Sequence, residues 1–196
     1  NVRETVADKI AIFAQLDALA PSAAILASST SWLPASKFTA GLAGRARCLV
    51  AHPTNPPYLV PLVELCPTPW TDPQVLQRAH EIYSASGQTP VTLAREIHGF
   101  LLNRVQGAVL DECFKLYAQG LASAHDIDKV LKDGLALRWS FMGPFETIDL
   151  NAPGGLADYA QRYGPGFREA MAGNLCRCGT HTRIVRAIQR AAKELA

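Results

Sequence analysis

No apolar run in the 196-residue sequence approaches the roughly 20 residues that a membrane-spanning helix needs. Neither sign of charge dominates. The formal net charge is +2, too small to argue for nucleic acid or an anionic membrane surface as a partner. The five cysteines are an odd number and include no Cys-x-x-Cys pair. Cys48, Cys66 and Cys113 lie in apolar or helical contexts where reduced, packed thiols are the ordinary reading, and the cytoplasm is the expected compartment. Also missing is Gly-x-Gly-x-x-Gly, the turn with which a dinucleotide fold cradles pyrophosphate. The glycine clusters Gly41-Leu-Ala-Gly44 and Gly164-Pro-Gly166 have neither its spacing nor its context. Either the chain binds no dinucleotide or the cradle is encoded ahead of Asn1.

What is present is globular material. Hydrophobic residues make up 48% and charged residues 18%, and the length suits one large or two small domains. Apolar residues recur at helical spacing from Glu4 to Ala20 and stop at Pro21, so the chain reads as starting inside a fold. Strands are expected at Ala24–Ala27, Cys48–Ala51, Tyr58–Val63 and Gln88–Leu93. Helical segments are expected at Pro34–Leu42 and from a Thr71 or Asp72 cap to about Ser86. This alternation implies a layered, largely parallel sheet. Beyond His98-Gly99 no convincing strand follows. Helices are expected over Phe100–Gln119 with Gly120 as stop, from a Ser123 cap to near Gly134, and from Gly143-Pro144. The change places a domain boundary near residue 98, between an α/β part and an all-α part.

The stretch that carries chemistry is Ala51-His52-Pro53-Thr54-Asn55-Pro56-Pro57, followed by Leu62-Val63-Glu64-Leu65. A lone histidine at a strand end is ordinarily structural. Here Asn-Pro-Pro breaks the chain, and a reversal there brings Glu64 back beside His52. A carboxylate bonded to one imidazole nitrogen fixes the tautomer and leaves the other nitrogen free as a general base.

Five blocks set this pair in context: Ser28-Ser-Thr-Ser-Trp32, Ala51-His-Pro-Thr-Asn-Pro-Pro-Tyr58, Pro61-Leu-Val-Glu-Leu65, Gly99-Phe-Leu-Leu-Asn-Arg104 and Gly143-Pro-Phe-Glu-Thr147. In this order they resemble the 3-hydroxyacyl-CoA dehydrogenase family, most closely its lambda-crystallin or L-gulonate 3-dehydrogenase branch, over residues 1 to about 167. The resemblance implies an α/β fold, the C-terminal part of a Rossmann-type domain over 1–98, followed by an all-α helical domain over 99–167. It also implies that most of the nucleotide-binding half precedes Asn1. The activity implied is oxidation of a 3-hydroxyl, in a 3-hydroxyacyl-CoA or 3-hydroxyacid substrate, by hydride transfer to NAD. His52 then resembles the general base, Glu64 its orienting carboxylate, and Ser31 and Asn103 the substrate-side hydrogen-bonding residues. Glu4, Lys9, Ser31 and Asn55 match positions lining the nicotinamide-ribose side of NAD. A homodimer through the helical domain is implied as well.

The tail reads differently. Gly173-Asn-Leu-Cys-Arg-Cys-Gly places Cys176 and Cys178 one residue apart before an amphipathic helix. Residues 168–196 resemble the C-terminal piece of the small [2Fe-2S] subunit of molybdenum hydroxylases, in which these cysteines would be two of four cluster ligands. The alternative function is therefore an electron-transfer fragment. The other pair of thiolates is absent, and two ligands do not close a cluster site, so no bound [2Fe-2S] is expected.

A dyad without its cradle gives a first prediction. Calorimetric titration of this chain with NAD should show weak binding or none, and a micromolar affinity would overturn that expectation.

Overall fold

A computed structural model describes residues 2–170, with side chains described to residue 162. Two compact units divide at Phe114 and Lys115. In the first, helix α1 (Val6–Leu19) begins where the Thr5 hydroxyl accepts from the Asp8 amide at 3.2 Å, and it stops ahead of Pro21. It buries Phe13, whose ring meets Phe38 of the short helix α2 (Ser36–Thr39) edge-on at 5.0 Å. Helix α3 (Pro73–Ala85) starts from an Asp72 cap with proline in its first turn, as the sequence indicates.

Strands β1 (Leu26–Ser28), β2 (Cys48–Pro53), β3 (Leu62–Pro67) and β4 (Thr89–Thr92) form one sheet in that order. The outer pairs are parallel, joined by crossovers that carry α2 and α3, but β2 and β3 are antiparallel. The expectation of a largely parallel sheet is corrected to a mixed one. The link between β2 and β3 is too short for a crossover, so the second strand must run back along the first. Strand β3 also begins later than the apolar run Tyr58–Val63 suggests. Pro56, Pro57 and Pro61 have no N–H for a ladder, and the amides of Leu59 and Val60 instead close a turn on the Pro56 carbonyl, leaving Tyr58 and Leu59 exposed.

Strand alternation splits the core between the two faces of the sheet. Cys48, Val50 and Cys66 pack with Phe13, Phe38 and Phe100, while Leu49, Ala51, Val63 and Leu65 pack with Ala79 of α3. By the same parity His52 and Glu64 belong to the first face, opposite each other in register.

Helix α4 (Leu102–Ala118) starts two residues later than expected, because Gly99 and Phe100 take positive φ of 76° and 49°. Gly120, at φ 69°, ends this segment as the sequence suggests. In the second unit, α5 (Ala124–Lys129) starts from the Ser123 hydroxyl and does not stop at Gly134. It continues as a π-helical stretch (Val130–Ala136) into α6 (Leu137–Trp139). A glycine ends a helix by turning left-handed, and Gly134 does not. Helices α7 (Pro144–Leu150) and α8 (Gly155–Ala170) follow, and the Leu156 amide donates to Asp149 at 2.8 Å. Among the described residues no helix is long and apolar enough to cross a membrane.

Leu49 is fully buried at the centre of the second face. Leu49→Ala should cost about 2–5 kcal/mol in urea unfolding, whereas a loss within experimental error would show that this face is not close-packed.

Candidate functional site

Two strand positions and one helix start build the site. The β2–β3 register sets His52 across from Glu64, and His52 Nδ1 lies 2.8 Å from Glu64 Oε2 with both side chains almost fully buried. The other carboxylate oxygen, Oε1, accepts from the amides of Leu101 and Leu102 at 2.8 and 2.9 Å. Leu101 immediately precedes α4 and Leu102 opens it, where unsatisfied N–H groups and the helix dipole favour an anion. Burial alone raises the Glu64 carboxyl. The hydrogen bonds from His52 and from the two amides outweigh it and hold the group below the ordinary value of 4.5. An ionised carboxylate only accepts, so Nδ1 carries the hydrogen and Nε2 of a neutral imidazole carries the lone pair.

The loop after β1 is fastened to the start of α4. Asn103 Nδ2 donates to the Ser31 carbonyl at 2.6 Å, and the Trp32 indole meets the His98 ring edge-on at 4.8 Å. Gly99 takes its glycine for a φ of 76°, and a Cβ there would also crowd the Trp32 ring at 3.0 Å. The Ser31 amide donates to Glu4 at 3.1 Å, and Thr30 gives its hydroxyl hydrogen to the same oxygen. Lys9 is buried with its ammonium 3.2 Å from the other Glu4 oxygen and 3.3 Å from the Ser28 hydroxyl. Desolvation pushes the Glu4 carboxyl up, and bonds from Thr30, Lys9 and Ser31 bring it below its ordinary value.

His52 and Glu64 are thus joined directly, Asn103 reaches Ser31, and Glu4 joins Lys9 to Ser31. The recorded Ser31 bonds use its main chain. Asn55 is exposed in the turn after β2, and no described bond ties it to the dyad. Three participants escape sequence reading. Thr30 is fully buried and accepts from the Trp32 and Leu33 amides, a Ser/Thr turn that the Ser-Ser-Thr-Ser run could have signalled. The Thr54 hydroxyl, two residues past His52, is buried without a hydrogen-bond partner. Phe100 lies against the imidazole with ring centroids 5.3 Å apart.

Burial pushes the Cys48 thiol up to about 11 and that of Cys66 to about 12, which removes both from nucleophilic chemistry near neutral pH. Among the described residues no cluster of histidine, cysteine, aspartate or glutamate could hold a metal ion. Cys176 and Cys178 lie outside the described residues.

Comparison with known proteins sets this geometry in a family. The family model for the 3-hydroxyacyl-CoA dehydrogenase NAD-binding domain matches residues 1–97, and that for the C-terminal domain of the same enzymes matches residues 99–187. The lambda-crystallin homolog of Bos taurus is 50% identical over 170 residues, covering 87% of this chain and 53% of that protein. An L-carnitine dehydrogenase of Nocardiopsis dassonvillei is 37% identical over 161 residues, covering 82% and 49%. The crystal structure of a 3-hydroxyacyl-CoA dehydrogenase from Archaeoglobus fulgidus superposes with a TM-score of 0.75 at 26% identity, covering 87% of this chain and 57% of that one. The chain spans about half the length of the curated relatives it matches. The fold class is that of a Rossmann-type α/β part followed by a helical domain, as the sequence implied. The C-terminal match runs across Cys176 and Cys178, and the iron–sulfur reading of that stretch finds no support.

The bonds on Glu64 fix a pH dependence. Its folded value lies below its unfolded one, so its contribution to stability is present above about pH 4.5 and is lost as pH falls through the folded value. Melting temperatures followed from about pH 7 to about pH 3 should drop less steeply for Glu64→Gln than for the wild type. Parallel curves would mean that the carboxylate carries no such linkage.

Proposed function

We propose, since this chain belongs to the 3-hydroxyacyl-CoA dehydrogenase family, that it carries the proton-transfer half of an NAD-dependent 3-hydroxyacyl or 3-hydroxyacid dehydrogenase. The observation that supports this most directly is the buried bond between His52 and Glu64, with the carboxylate seated on the first amides of α4. In oxidation the 3-hydroxyl gives its proton to His52 Nε2, and in reduction the imidazole returns it. Glu64 keeps Nδ1 protonated and stabilises the imidazolium that forms. Asn103, held to the Ser31 carbonyl, and Ser31 itself orient the substrate oxygen.

The groups around Ser31 suit the nicotinamide-ribose side of NAD. They comprise the Glu4 carboxylate, bonded to the Ser31 amide, and the Lys9 ammonium paired with it, and Asn55 on the turn after β2 is assigned to the same side by the family resemblance. NAD, when bound, supplies the hydride acceptor. Acyl thioesters and free hydroxy acids are both substrate classes for this reading, since the relatives include 3-hydroxyacyl-CoA and L-carnitine dehydrogenases.

Two finer points belong to the same reading. The helical part leaves Leu121, Phe141 and Leu150 largely exposed, which suits a homodimer. The free thiols of Cys48 and Cys66 suit a reducing compartment such as the cytoplasm.

The test is kinetic. With a nucleotide-binding half supplied in frame ahead of Asn1, His52→Gln should lower kcat by roughly 10²–10⁴-fold while NAD affinity holds. An unchanged dehydrogenase rate would remove His52 as the base.

A further inference from the structure

We propose that Phe100 is a positioning residue for His52, an inference that rests on the reading of His52 as the base. Among the described residues Phe100 is the one non-glycine with positive φ, at 49°, and it follows Gly99 at 76°. A left-handed backbone is disfavoured for a bulky side chain and persists only where its surroundings over-determine it. The surroundings here are the dyad together with the core of the first sheet face. The Phe100 side chain is fully buried, and its ring lies 5.3 Å from the His52 ring, inclined at 43°. The next two amides, of Leu101 and Leu102, both end on Glu64 Oε1.

One turn thus grips both partners of the dyad, with a tilted aromatic ring against the imidazole and two N–H groups on the carboxylate. An ordinary helical φ at residue 100 would rotate the ring and the following amides together, so neither contact could be kept alone. Trp32 borders the turn from outside, where a Cβ on Gly99 would come within 3.0 Å of its indole. The ring has two consequences for the base. It blocks rotation of the imidazole away from Glu64, and it keeps water from the bond between Nδ1–H and the carboxylate, where a low local dielectric strengthens that bond.

The experiment reads His52 directly, without turnover. In nitrogen-15 NMR of this chain, the His52 ring N–H is assigned by its absence from His52→Gln. We expect this signal to be observable and slow to exchange with solvent in the wild type. In Phe100→Leu it should be lost to exchange, while the backbone amide signals of β2 and β3 stay in place. A Phe100→Leu chain that melts lower but keeps the ring N–H at its original position and exchange rate would reduce Phe100 to packing and overturn the proposal. 4-Fluorophenylalanine placed at position 100 alone gives a second reading that leaves the ring shape nearly unchanged. Its fluorine signal should move between the wild-type and His52→Gln backgrounds, and an identical signal in both would also overturn the proposal. A His52→Gln enzyme that kept its rate would remove the base assignment yet leave these signals as expected, so the two ideas fail separately.

Discussion

A carboxylate taken out of water is the constraint around which this site is arranged. Glu64 is nearly inaccessible to solvent on an apolar sheet, where an unpaired charge would be intolerable. Its charge survives because three donors converge on it from two directions, one across the strand ladder and two from the start of a helix. Each donor imposes a condition on the backbone. The imidazole requires an antiparallel register that sets residue 52 opposite residue 64. The amides require α4 to begin where it does, which in turn requires the left-handed turn at Gly99 and Phe100. The loop after β1 is then held to that turn through Asn103 and Trp32.

The sequence discloses part of this and conceals part for identifiable reasons. The dyad is legible because strand parity and a proline-rich reversal are both local signals, and they agree. The strand limits are less so. The apolar run Tyr58–Val63 looks like a strand until its prolines are counted as missing donors. Glycines mislead similarly, for Gly120 and Gly134 look alike as residues and only the first adopts the left-handed conformation that ends a helix. Phe100 is the extreme case. Local propensity argues against positive φ at an aromatic residue, so the conformation is dictated by partners distant in sequence, and no pattern within a window of ten residues could reveal it.

The same contrast holds for the polar residues near Ser31. A Ser-Ser-Thr-Ser run signals a turn, but not which hydroxyl is buried. Thr30, beside the residue singled out from sequence, bonds Glu4 and two amides and shapes the loop. Charged residues on a first helix are ordinarily its wet face. Lys9 departs from that rule because Glu4 and Ser28 satisfy its ammonium, which also lies over the Phe38 ring at 5.8 Å from its centroid.

The seclusion of Glu64 has a consequence for proton traffic. In relays that pass a proton through a histidine to a carboxylate and on to bulk water, the far end of the chain is wet. Here the far end is closed, since the carboxylate is sealed from solvent and engaged by backbone N–H groups, which donate to it and cannot take a proton from it. A base of this design is single-ended. On the proposed reading of His52 as the base, a proton collected at Nε2 departs through Nε2 as well, so its release is tied to the exchange of whatever occupies the face beyond that nitrogen.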